Sequence, residues 1–132
     1  MGYLIQPGFI VKTVTIAEAD FQACGTTPFL LLSGKPNMVF QFFSVMASTN
    51  GGYTSLFPYT IISSITTFEL AATHFDNFNG ANQQCTFNIG VNLTTDNSQK
   101  PGNNLNISVR SGINPTGTGD TTFYLIYREL YI

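Results

Sequence analysis

The sequence predicts an all-β fold, an antiparallel β-sandwich of about eight strands in jelly-roll form. Three observations predict it. Apolar residues recur with period two, the repeat of a half-buried strand, and not with the 3.6-residue period of a helix. Turn chemistry punctuates the chain at Asn50-Gly51-Gly52, Asn79-Gly80 and residues 114–120. The 132 residues carry no linker, repeat or low-complexity tract, so one domain spans residues 1–132.

The elements follow in order. Residues 9–16 form an extended strand. Residues 15–21 fit one short helical turn, with Thr15 as its cap and Glu18 three residues later. Strands are expected at 29–33, 38–47, 53–63 and 65–70; Pro58 interrupts the third of these and marks an edge or a bulge. Residues 71–78 fit more than one assignment. The clearest alternation is at 86–93, where Phe87, Ile89, Val91 and Leu93 share one face. Residues 95–103, with Lys100-Pro101-Gly102, read as the loop to a strand at 104–110 whose inward set is Leu105, Ile107 and Val109. Residues 114–120 read as a hairpin loop, and 122–132 as the last strand.

Two strands are apolar on both faces. In 38–47, strict alternation puts Met38, Phe40, Phe42 and Met46 on one side and Val39, Phe43, Val45 and Ala47 on the other. In 122–132, Phe123, Leu125 and Tyr127 oppose Tyr124, Ile126 and Leu130. A strand apolar on both faces needs two covers. The second is a further layer of the same chain or another subunit, and the shortness of the chain favours a subunit. Met38, Phe40, Phe42, Phe43, Val45, Tyr124 and Ile126 are therefore the candidate oligomer-interface residues.

Composition bears on function. Charged residues are 9% of the chain, against roughly 25% in a typical soluble domain. Seventeen Thr, 12 Asn and 9 Ser supply the polar surface instead. Such a surface loses little when it packs against a neighbour, because few charges are desolvated. A neutral extracellular β-domain has the same composition. The net charge of −2 argues against nucleic acid and anionic membranes as partners, and the five cations form no run. The first seven residues lack the basic and apolar regions of a signal peptide, and no apolar run approaches the ~18 residues of a membrane span. Cys24 and Cys85 read as two free, buried thiols.

The search for chemistry yields no catalytic residue, metal site or cofactor. His74 is the single histidine, and no nucleophile elbow accompanies it and Asp76. Glu69 and Glu129 are the strand-borne acids, and no Trp is present to form a sugar platform. Residues 76–80 lack the acidic spacing of a calcium loop. The glycines near Asn114 precede no helix that would hold a phosphate. Tyr53, Tyr59 and Asn114 are the candidate ligand contacts, on the ground that Tyr and Asn suit a shallow sugar site.

The order of features resembles that of small β-sandwich structural proteins of bacteriophage virions, of the decoration, spike, penton or tail-associated kind. It consists of a Val-Thr-Ile strand with a short acidic segment (14–20), then Thr27-Pro28-Phe29-Leu30-Leu31. A core strand follows, with a Gly51-Gly52-Tyr53 turn, and the chain closes with a turn at 115–120 and Tyr124-x-x-Tyr127-Arg128. The resemblance implies a virion location and a non-enzymatic structural role. It also implies homo-oligomers, often trimers, that contact other virion proteins. The alternative is a carbohydrate- or receptor-binding β-sandwich used in host attachment, whose partner is a host surface glycan.

Overall fold

The structure, a computed structural model, describes residues 8–54, 59–64, 68–74, 84–89, 100–109 and 113–132. It is built from antiparallel strands with one short helix. The order is β1 (Phe9–Ile16), α1 (Glu18–Gln22), β2 (Phe29–Leu32), β3 (Met38–Thr49), β4 (Gly52–Thr54), β5 (Tyr59–Ser64) and β6 (Phe68–His74). There follow β7 (Gln84–Thr86), β8 (Asn88–Ile89), β9 (Leu105–Val109), β10 (Thr116–Thr118) and β11 (Thr121–Tyr131). These are eleven strands among the described residues, against about eight expected. The excess comes from the division of residues 53–63 between β4 and β5, the division of the segment at 86–93 between β7 and β8, and β10, a strand inside the expected hairpin loop 114–120.

One sheet runs β1-β11-β3-β7, a second β2-β9-β5-β6-β8, and β10 pairs β4 in a two-stranded ribbon. Both sheets feed one apolar cluster. The first contributes Ile16, Met38, Phe40, Phe42, Val45, Ala47, Phe123, Leu125 and Tyr127; the second contributes Leu31, Leu32, Leu105, Ile107 and Val109. The inward trio of β9 is where its alternation places it. Phe40 and Phe42 both pack against Tyr127, with ring centroids 5.7 and 5.4 Å apart.

The long pair β3–β11 corrects the strict alternation. Tyr127 stands opposite Phe42 and Ile126 opposite Ser44, so Phe43 is an extra residue with no partner. This bulge shifts the phase of β3 by one residue. Met38, Phe40 and Phe42 point inward before it, and Val45, Ala47 and Thr49 after it; all six are buried. The apolar residues that alternation assigns to two faces lie mostly on one. One cover, the other sheet of the same chain, therefore suffices for these residues, and Met38, Phe40, Phe42 and Val45 are core residues, not interface residues.

Two further segments depart from expectation. Residues 86–93 are not one strand in one sheet. β7 joins β3, β8 joins β6, and the chain crosses between sheets at buried Phe87, whose N–H donates to the Val45 carbonyl at 2.9 Å. Residues 90–99 lie outside the described residues. The helical turn exists, but Thr15 does not cap it. Thr15 is still in β1, its hydroxyl 3.1 Å from that of Thr122, and Ala17 is the N-cap residue. The Glu18 N–H donates instead to Asp120 Oδ1 at 2.9 Å, from a loop about a hundred residues away in sequence.

The bulge makes neighbouring phenylalanines unequal. Phe42 is 6% exposed and Phe43 43%. Phe42→Ala is expected to cost about 3–5 kcal/mol, and Phe43→Ala no more than about 1 kcal/mol. Urea unfolding of the two variants measures this, and equal costs would contradict the bulge.

Candidate binding surface

The outer face of the β1-β11-β3-β7 sheet is laid out by the strand register. Directly opposed residues form rows across it: Thr15–Thr122–Ser48, Thr13–Tyr124–Met46, Val11–Ile126–Ser44 and Phe9–Arg128–Gln41. With about 3.3 Å of rise per residue, the first and last rows lie roughly 20 Å apart. One end of the face is hydroxylic and the other apolar.

At the apolar end, Val11 is 77% exposed and Phe43 43%, with half-buried Ile126 opposite Val11. The bulge turns Phe43 outward, where it meets Phe9 edge-on with ring centroids 4.3 Å apart. Arg128 lies over the Phe43 ring at 5.8 Å and donates from Nε and Nη2 to Gln41 Oε1, at 3.1 and 2.6 Å. Its guanidinium is thereby held between Gln41 and the Phe43 ring. Of the seven candidate interface residues, Phe43, Tyr124 and Ile126 occupy this outer face.

At the other end, Thr15, Ser48, Asn50, Asp120, Thr122 and Tyr124 line a half-open cleft of about 250 Å³. Its floor is fixed from below by the loop 117–120. Asn50 and Asp120 exchange two hydrogen bonds. The Asp120 N–H donates to Asn50 Oδ1 at 2.8 Å, and the Asn50 N–H to the Asp120 carbonyl at 3.1 Å. The Gly119 N–H donates to Glu18 Oε1 at 2.6 Å, and Gln22 Nε2 to the Gly117 carbonyl at 2.8 Å. Gly119 has φ +105°, and a side chain there would fall 2.4 Å from the Gly51 nitrogen. Gly117 lets β10 close on β4, since a Cβ would stand 2.1 Å from the Gly52 carbonyl oxygen and 2.8 Å from the Tyr53 ring.

The candidate ligand contacts read from sequence are placed differently. Tyr53 is fully buried. Its ring packs edge-on against Phe21 at 4.7 Å, and its hydroxyl donates to the Gly119 carbonyl. It supports the cleft loop from inside and is not exposed to a ligand. Asn114 is exposed, but its Oδ1 accepts from the Thr26 N–H at 2.9 Å and the Thr26 hydroxyl at 3.2 Å, tying two loops together. The side chain of Tyr59 lies outside the described residues, as do residues 76–80 and the side chains of His74, Glu69 and Cys85. Glu129 pairs with Lys35 at 3.0 Å, and Cys24 is free and buried. Among the described residues no three His, Cys, Asp or Glu side chains gather as a metal would require, and no helix is long and apolar enough to cross a membrane.

Sequence reasoning missed Val11, Thr15, Ser48, Asn50, Asp120 and Thr122. Each is ordinary strand or turn chemistry alone, and only the register of three strands gathers them. Comparison with known proteins finds no family model, curated protein or solved structure that matches the chain.

Burial, with Glu18 and Asp120 nearby, pushes the Tyr53 hydroxyl from a pKa of 10.0 up to about 12. Between those values the unfolded chain loses this proton and the folded chain keeps it. The contribution is therefore intact below pH 10 and is lost as pH rises towards 12, by at most about 1.4 kcal/mol per pH unit. Tyr53→Phe is expected to flatten that part of the profile and to cost about 1–3 kcal/mol at pH 8, where the Gly119 carbonyl loses its donor. Urea unfolding of both proteins at pH 8 and pH 11 measures both effects. Parallel losses on going to pH 11 would contradict this assignment.

Proposed function

We propose that the chain is a non-enzymatic structural subunit of a bacteriophage virion, assembling as a homo-oligomer through the apolar end of its outer sheet face. The observation that carries this reading is the row from Val11 to Ile126, with Phe43 and Phe9 beside it, presented on one face of a long β-pair. Apolar side chains adjoining one another on a regular sheet form a patch suited to burial. The occupant argued for is a second copy of the chain. Among the described residues the face carries one cation, Arg128, already laid against Gln41 and Phe43, so identical faces meet with little like-charge repulsion. Around a cyclic axis, residues close to the axis meet their own copies. The order of sequence features, which resembles that of small phage virion proteins that often form trimers, makes a trimer the favoured form, with this patch at the threefold axis. The virion location rests on the scarcity of charge and on the order of sequence features, and it makes other virion proteins the remaining partners.

Light scattering after size exclusion is expected to show a mass near three times 14.4 kDa. Val11→Asp and Phe43→Asp are expected to give folded monomers with unchanged circular dichroism. Phe42→Asp is expected to unfold the chain, since it places an unpaired charge in the core. A monomeric parent protein at high micromolar concentration would overturn the interface. So would Val11→Asp and Phe43→Asp variants that keep the parent mass.

A further inference from the structure

We propose that the cleft lined by Thr15, Ser48, Asn50, Asp120, Thr122 and Tyr124 is a binding site for one ring of a neutral carbohydrate.

The residues dictate the ligand class. The wall is a row of three hydroxyls, Thr15, Thr122 and Ser48, on adjacent strands, with the Thr15 and Thr122 oxygens 3.1 Å apart. Hydroxyls both donate and accept, which matches a ligand that presents its own hydroxyls at close spacing. Tyr124 stands one row further on and is 38% exposed. Its ring offers an apolar surface to the C–H face of a sugar, and its hydroxyl a polar tip. Asp120 closes the other end. Its Oδ1 accepts from the Glu18 N–H, and the other carboxylate oxygen has no partner among the described residues. That oxygen is an acceptor for a ligand hydroxyl, and hydrogen bonds to an ionised carboxylate are the stronger kind.

Other classes fit less well. A phosphate or carboxylate ligand would meet Asp120 with no cation in the lining. A divalent cation would find one carboxylate, far from a full oxygen shell. An apolar ligand would strip water from hydroxyls and an acid without replacing their hydrogen bonds. The volume, about 250 Å³, is below the usual range of drug-sized pockets, roughly 300–1,000 Å³, and suits a single ring with the rest of a chain in solvent.

The site is also held in place before a ligand arrives. Asn50, Gly51, Gly119 and Asp120 are bonded to one another and to Glu18, Thr49 and Tyr53. A ligand therefore orders little on binding, which favours affinity. This inference does not depend on the assembly proposed above. The hydroxyl row of the cleft lies two rows from Val11 and Ile126, with the row of Tyr124 between them, and Ser48 and Phe43 are separately mutable.

Saturation-transfer NMR on the full chain tests it, with glucose, galactose, mannose and N-acetylglucosamine as neutral probes and glucose 6-phosphate as the anionic one. The expected result is transfer from at least one neutral sugar, at least tenfold weaker binding in Tyr124→Ala and in Asp120→Asn, and unchanged binding in Phe43→Asp. Asp120→Asn keeps an oxygen for the Glu18 N–H, so the loop stays capped. Ser48→Ala removes one wall hydroxyl without touching the loop and is expected to weaken binding several-fold, which keeps the test open if the loop variant is unstable. The proposal is overturned if no neutral sugar shows transfer, or if binding survives Tyr124→Ala and Ser48→Ala unchanged. Preferred binding of glucose 6-phosphate would also overturn it. The mass of Asp120→Asn in solution is expected to match that of the parent, so failure of this site and failure of the interface are separable.

Discussion

The single extra residue in β3 governs much of what this molecule presents to its surroundings. A β-strand alternates its side chains strictly, so a strand with apolar residues at both parities has no satisfactory orientation in an antiparallel sheet with one wet face. Phe43 resolves the conflict by standing outside the pairing of Phe42 with Tyr127 and Ser44 with Ile126. Phe40 and Phe42 on one side of it, and Val45 and Ala47 on the other, then share one interior. The residues turned outward after the bulge are Ser44, Met46 and Ser48, of which two are hydroxylic. The same shift supplies the core with its aromatic contacts to Tyr127 and the outer face with its hydroxyl row. Phe43 itself becomes the apolar feature at one end of that face.

The opposite end depends on a second device, the approach of the Asn50 turn to the Gly119 turn. Two glycines permit backbone contact that no side chain would allow, and the bonds from Glu18, Asn50 and Tyr53 hold the result. The short helix contributes to the same assembly, since Asp120 caps it while Glu18 binds Gly119 in return. Tyr53 accordingly acts from beneath the surface, as a buried support whose hydroxyl is used within the loop.

Much of the secondary structure was legible in the sequence, and the reasons are physical. β9 follows its alternation, and Leu105, Ile107 and Val109 are inward as the pattern requires. Turn chemistry located the loops around Gly51 and Gly119. The bulge was not legible, because the inserted residue is itself a large apolar one among others and leaves alternation looking two-sided. The change of sheet at Phe87 was hidden for a related reason: alternation reports facing but not which neighbour accepts the hydrogen bonds. The cap on α1 came from a loop far away in sequence, while local spacing pointed to Thr15. Tyr and Asn suit a site and a scaffold equally, so the sequence does not separate the two roles for Tyr53 and Asn114; the pairing of β4 with β10 and the bonds to Thr26 decide for the scaffold. The cleft residues come from three separate stretches of chain, and their convergence belongs to the register alone.

Residue-by-residue thiol labelling along β3 tests the central claim most directly. Single cysteine substitutions at Phe42, Phe43, Ser44, Val45 and Met46, read by peptide mass spectrometry after brief alkylation, report which side chains reach solvent. Native Cys24 contributes little background, since burial raises its thiol pKa to about 12. In the Val11→Asp background, which leaves the outer face uncovered, the bulge predicts rapid labelling at 43, intermediate labelling at 44 and 46, and protection at 42 and 45. Strict alternation, with 45 labelled and 44 and 46 protected alongside 42, would contradict the account and return the outer face to a different set of residues.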